Sequence, residues 1–242
     1  RKVPVLDLDL EMSEDSSSDR MMAMRGGFSL PFLLAQEKEK NMKAQLLRTL
    51  EIFKRNKYYH YFNEPNISLD DVDALITKSK RMFRDTGVIK GEDDYIFVTI
   101  DLLEMVKDFS VPIQERLFPA INKLHYIAKK QKCHIFFTLQ GNENKIRSTK
   151  FTNPEDLDWY KIGMEDIFGS SAYASRARVM LSLQRPKHLR YMFFPDRIDE
   201  WELDEDIINC HCIKQNEGQL FFQQYVFGKN FKIYPRVIEE EN

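Results

Sequence analysis

Three polar side chains stand where apolar runs of the chain end. Asp101 closes Tyr95-Ile96-Phe97-Val98-Thr99-Ile100-Asp101, Glu11 closes the run that starts at Val3, and Gln140 closes Cys133-His134-Ile135-Phe136-Phe137-Thr138-Leu139-Gln140. A short β-branched run after turn formers (Gly91, Asp93, Asp94) predicts a strand buried on both faces of a parallel sheet. In such a sheet the three residues project toward the carboxyl edge, where open α/β sheets bind ligands. Aspartate plus glutamate there suits magnesium-assisted hydrolysis. The aspartate would hold the hydrated ion, the glutamate would take a proton from an attacking water, and the glutamine would sense a γ-phosphate or orient the water. The plain alternative is three unrelated strand-ending surface residues, with Asp101 merely capping the next helix.

The elements that must position them follow from periodicity and punctuation. Residues 3–11 alternate toward their end and predict a strand. Ser13 is suited to cap a helix ended by Gly26-Gly27. Residues 36–55 are charged and helical, and residues 58–62 predict a short strand. Pro65 and Ser68 open a helix carrying Leu69, Val72, Leu75, Ile76, Met82 and Phe83, with Asp71 placed to complete a capping box. A helix over residues 113–130 has Leu117, Ile121, Leu124 and Ala128 on one face, and Pro119 either kinks it or marks its start. Residues 141–154 are polar and predict a mobile loop. A small-residue helix over 166–177, a strand over 178–184, and a terminal β-ribbon over 207–213, 220–227 and 231–234, turned at Gly218 and Gly228, complete the chain. Strands alternating with helices imply an α/β fold with a mostly parallel sheet and right-handed crossovers. No internal repeat is evident.

Composition sets bounds. With 242 residues and 43% hydrophobic content the chain can build a full core. A net charge of −2 gives no global sign of a polyanion binder, so any nucleic-acid contact must come from a local patch. Three cysteines without framework spacing suggest a reducing compartment. No stretch is long and apolar enough to span a bilayer, which predicts no membrane partner. In Cys210-His211-Cys212 the cysteines would share one strand face with the histidine pointing away, which favours packing over zinc. His60, His125, His134 and His188 show no ligand spacing. Trp159 and Tyr160 read as a packed aromatic pair rather than a base-stacking platform.

Leu8-Asp9-Leu10-Glu11-Met12-Ser13, with Arg20 in the next helix, resembles the "SLEMS" segment of DnaB-type hexameric replicative helicases. Residues 95–101 with Leu102-Leu103-Glu104-Met105 are similar to that family's Walker B strand, "VIDYLQLM", and residues 134–140 to its "SQ" strand. Asp166-Ile167-Phe168-Gly169-Ser170-Ser171, continuing to Arg185, resembles the "DLRESG…AD…LHR" block, and its Gly-Ser-Ser and Ala-Arg variant also resembles RepA-type plasmid helicases. Ile213-Lys214-Gln215-Asn216-Glu217-Gly218 resembles the "KxRxG" strand. The blocks come in family order and cover nearly the whole chain.

The resemblance implies a RecA-like ATPase motor domain over residues 1–242, using ATP and Mg2+, assembling as a homo-oligomeric, hexameric ring and moving on single-stranded DNA. A primase or helicase loader is an expected partner, and the cytoplasm of a bacterium or phage-infected host the expected location. Glu11 would match the catalytic base, Asp101 the Walker B carboxylate, and Gln140 the γ-phosphate sensor. Lys214 would match the basic residue reaching a neighbouring subunit's nucleotide. The loop with Lys145, Arg147 and Lys150, and the segment Phe168, Gly169, Ser170 and Ser171, would meet DNA phosphates. A few cations in a mobile loop fit an electrostatic, sequence-blind grip, though a solvated surface turn would look the same.

Two departures stand out. No GxxxxGK[ST] occurs among the 242 residues. The phosphate loop is expected one strand and one helix before Val3, so the chain, opening on Arg1, is expected to be a fragment beginning after it. The family's arginine finger falls near Asn216, an amide without charge to offer a transition state. Arg185 or Arg190 would then supply the finger, or the protein would be a weak ATPase. Two other readings stay open: a RecA-type recombination or repair ATPase, and a catalytically silent ring component or loader.

Overall fold

The computed structural model describes residues 2–29, 40–91, 94–109, 114–167, 170–201, 204–228 and 232–236. The chain forms two compact units, residues 1–140 and 141–242. No helix among the described residues is long and apolar enough to cross a membrane.

The first unit is a four-stranded parallel sheet, ordered β2 (Tyr59–Phe62), β1 (Val5–Asp9), β3 (Ile96–Asp101), β4 (Cys133–Phe137). Its helices are α1 (Glu14–Gly26), α2 (Lys40–Lys54), α3 (Leu69–Asp85) and α4 (Gln114–Lys130), with a 3-10 turn at Leu103–Met105. The sheet has two unlike faces because its sequences alternate. Leu6 pairs with Val98 and Leu8 with Ile100, and all four are buried. The opposite face carries Asp7 opposite Thr99 and Asp9 opposite Asp101. The expectation of a β3 buried on both faces is therefore corrected. Ile96, Val98 and Ile100 are inside, whereas Phe97 is 36% exposed and Thr99 and Asp101 are half-buried. β4 is likewise open on one side, with Phe136 47% exposed.

The buried sheet face shares a core with α3 (Leu69, Val72, Ile76, Phe83) and α4 (Leu117, Ile121, Leu124, Ile127). Burying each such side chain is worth about 1.5–3 kcal/mol. Ser68 caps α3 in a full capping box with Asp71, and Ser13 caps α1, which ends on Gly27 in the left-handed region (φ 74°). Pro119 sits inside α4, not at its start. Lys123–Asp70 and Lys130–Asp73 link α4 to α3.

The second unit is an antiparallel sheet in chain order, β5 (Val179–Gln184), β6 (Ile207–Gln215), β7 (Phe222–Phe227), β8 (Ile233–Pro235). β5 thus joins the terminal ribbon. Residues 141–154 are not all loop, since they include α5 (Glu143–Ser148). Short helices α6 (Asp156–Trp159) and α8 (Pro186–Phe193) were not anticipated. The small-residue helix α7 covers Ser170–Arg176, and Asp166 belongs to a preceding 3-10 turn. A polar chain ties this unit together. Gln184 donates to the Leu157 carbonyl (2.6 Å), Asn209 to that of Asp158 (2.7 Å), and Gln224 to the Asn209 side chain (2.9 Å). The Cys-His-Cys strand packs as its alternation demands: Cys210 and Cys212 are buried, and His211 stacks on Phe222 at 4.6 Å.

Candidate functional site

The parallel sheet brings Glu11, Asp101 and Gln140 to one edge of the first unit. Asp9 lies opposite Asp101 and Ile100 opposite Phe137, so Glu11 and Gln140 stand just past the carboxyl ends of β1 and β4, with Asp101 last in β3 between them. Hydrogen bonds continue the ladder beyond the strands. The Leu10 N–H donates to the Asp101 carbonyl (2.5 Å), the Thr138 N–H to that of Ile100 (3.1 Å), and the Leu103 N–H to that of Thr138 (3.1 Å).

Each site residue has a local reason for its place. Glu11 is exposed on the turn between β1 and α1. Asp9 braces that turn: it accepts the Met12 N–H (3.1 Å) and the Ser17 hydroxyl. Asn63, after β2, donates to the carbonyls of Asp9 and Met12. The Asp101 carboxylate accepts the Thr138 hydroxyl through one oxygen. That leaves its other oxygen able to meet a hydrated cation, the hard oxygen ligand magnesium prefers. Beside it lies a cavity of about 320 Å³ lined by Asp7, Tyr59, Thr99, Asp101, Phe136 and Thr138. The hydroxyls of Tyr59 and Thr99 both donate to Asp7, and burial together with Asp7 pushes the Tyr59 phenol up.

One residue of this edge escaped the reading of the sequence as a site residue. Glu104, in the 3-10 turn after β3, accepts the Gln140 backbone N–H at 3.1 Å through Oε1. Its Oε2 is buried without a hydrogen-bond partner among the described residues. Burial, with the negative charges of Glu11 and Asp101, pushes its carboxyl above the usual range. The available signal was an acidic residue inside the apolar run Leu102-Leu103-Glu104-Met105.

The remaining candidates belong to the second unit. Lys214 Nζ donates to the carbonyls of Ala174 and Ala177 (2.6 Å to the latter), as a cation closing the end of α7. Asn216 is exposed, and its N–H donates to the Arg178 carbonyl at 3.0 Å. Lys145 falls within α5, Arg147 and Lys150 are exposed, Ser170 opens α7 and Ser171 is exposed on it, while Phe168 and Gly169 lie outside the described residues. Arg185 is paired with Asp206, and Arg190 with Asp158 and Asp204.

Neither a protein-family model nor a curated protein matches the sequence. Solved structures do match. One solved ATPase domain is similar over 96% of this chain and 74% of its own, with a TM-score of 0.73 and 14% identity. A DnaB-like replicative helicase, solved in a study of its interactions with primase, is similar over 96% of this chain with a TM-score of 0.74 and 14% identity. This chain spans 50% of the length of that protein. A KaiC-like protein from Pyrococcus horikoshii OT3 matches at a TM-score of 0.50 and 11% identity, over 97% of this chain and 76% of its own. The fold is that of the RecA-like ATPase domain of DnaB-like helicases.

Proposed function

We propose that this chain is the motor domain of a ring-forming, ATP-driven helicase that translocates on single-stranded DNA during replication. The observation that carries the reading is the meeting of Glu11, Asp101 and Gln140 at one carboxyl edge, in a fold shared with helicase ATPase domains. In this reading Glu11 takes the proton of the water whose oxygen attacks the γ-phosphorus, as the bond to the ADP oxygen breaks. General-base help of this kind is worth about 10²–10⁴ in rate. Asp101 would hold Mg2+, which would supply positive charge against the phosphates when bound. Gln140 contacts the γ-phosphate and carries its loss toward the DNA-facing segments, namely Lys145, Arg147, Lys150 and residues 168–171. Lys214, once released from the carbonyls of Ala174 and Ala177, and Asn216 would reach the neighbouring subunit's nucleotide, with hexameric assembly and a primase or loader as partners.

The test is hydrolysis by the full-length protein with and without single-stranded DNA. Glu11→Gln should abolish turnover and leave ATP binding within a few-fold of wild type; unchanged turnover overturns the assignment. One second reading has specific support. Asn216 stands where a charged finger is expected, which favours a catalytically silent ring component. DNA-stimulated turnover by the full-length protein excludes it, and rings rather than filaments in electron micrographs exclude a recombination ATPase.

A further inference from the structure

We infer that Glu104 is a positioning residue that sets Gln140 for its contact with the nucleotide. The inference rests on the helicase-motor reading above and deepens it.

The backbone ladder between β3 and β4 explains why such a residue is needed. Up to Thr138 the two segments exchange main-chain bonds: Thr138 N–H to the Ile100 carbonyl, then Leu103 N–H to the Thr138 carbonyl. After Asp101 the chain leaves the sheet and enters the 3-10 turn at Leu103–Met105. The N–H of Gln140 is instead taken by a side chain, Glu104 Oε1, at 3.1 Å. The carboxyl thus replaces the missing carbonyl and extends the sheet's order by two residues, to the one whose amide group must be aimed.

Glu104 can hold this post because the turn fixes it and because its other oxygen is withdrawn from solvent. The titratable groups acting on it are Glu11 after β1 and Asp101 at the end of β3. Both are negative and, with burial, favour its protonated form, which retains Oε1 as an acceptor. A neutral amide of the same shape would serve the same purpose. Alanine would release Gln140, and misplacement of about 1 Å at such a site costs on the order of 10²-fold in rate.

The experiment compares Glu104→Ala and Glu104→Gln with wild type in the full-length protein. It reads kcat and KM for ATP, stimulation by single-stranded DNA, and deuterium exchange at the Gln140 amide. Glu104→Ala should lower kcat on the order of tenfold to 10²-fold, leave KM within a few-fold, abolish DNA stimulation and speed exchange at Gln140. Glu104→Gln should recover most of kcat, stimulation and protection. Wild-type behaviour of Glu104→Ala overturns the inference, and so does an equal loss in both variants, which would make charge rather than the acceptor oxygen decisive. If Glu104→Ala does not fold, Glu104→Asp, which withdraws the acceptor by one methylene, takes its place, and the same two outcomes overturn the inference. A wild-type protein that hydrolyses no ATP defeats the helicase reading, while exchange at Gln140 still judges Glu104.

Discussion

Asn63 Nδ2 donates to the backbone carbonyl of Asp9 at 2.9 Å, tying the end of β2 to the end of β1. The same nitrogen reaches the Met12 carbonyl, so one amide brackets Glu11 from both sides in the chain. The strand order explains the bond, since β2 and β1 are parallel neighbours and both finish at the edge where Glu11 stands.

Asn63→Asp removes this donor and adds a negative charge among Asp9 and Glu11. It should cost about 1–3 kcal/mol of stability, the penalty for polar groups left unpaired. It should also lower turnover more than it raises KM. Chemical denaturation and steady-state ATPase kinetics check the two parts, and a variant indistinguishable from wild type in both would show that the turn holds itself.

Glu104 gives stability a sign with pH. Its folded-state pKa lies above the ordinary carboxylate value of about 4.3. Its favourable contribution is therefore full below that value and is lost as pH rises through the folded-state pKa. Glu104→Gln removes this loss. The difference in unfolding free energy, variant minus wild type, should grow more positive between about pH 4 and neutrality. Urea titrations at several pH values measure it, and parallel stability curves would contradict the environment assigned to this carboxyl.

Leu8 is fully buried between β2 and β3 on the apolar sheet face, while Phe97, on the other face, is 36% exposed. Leu8→Ala should cost about 2–5 kcal/mol. Phe97→Ala should cost distinctly less, although it removes the larger side chain. Denaturant midpoints of the two variants decide whether the sheet is covered on one face only.

Lys214→Met keeps the length of the side chain and removes its charge and donors. The carbonyls of Ala174 and Ala177 then lose their partner at the end of α7. A loss of about 1.5–3 kcal/mol is expected, the range for hydrogen bonds to charged groups, with faster amide exchange over residues 170–177. Unchanged exchange there would leave Lys214 free for other work.

Much of this architecture was legible because short-range rules govern it. Ser68 and Asp71 announced a capping box through spacing alone, and Gly26-Gly27 announced the end of α1. Asp101, Glu11 and Gln140 were visible because a polar residue at the end of an apolar run is a local pattern. Other features depend on what lies across space. Tyr95 and Phe97 are apolar, so periodicity could not tell a strand covered on one face from one covered on both. Glu104 stood in the sequence only as part of the stretch after Asp101, because its importance comes from Gln140, distant in the chain. β5 was expected as one more strand of a parallel sheet, yet its partner is β6, joined through Leu183 opposite Cys210 and Gln184 opposite Asn209. Helix α8 hid because Arg185-Pro186 reads as a break, although proline suits the first turn of a helix.

β4 stands last in the order of the parallel sheet, and among the described residues no strand pairs with its outer side. A strand edge with no strand paired to it among the described residues, beside the half-exposed Phe136, is a template for the same edge of a second copy. A fragment cut after Gln140 would therefore zip onto its own kind, and the yield of monomer would fall as its concentration rises.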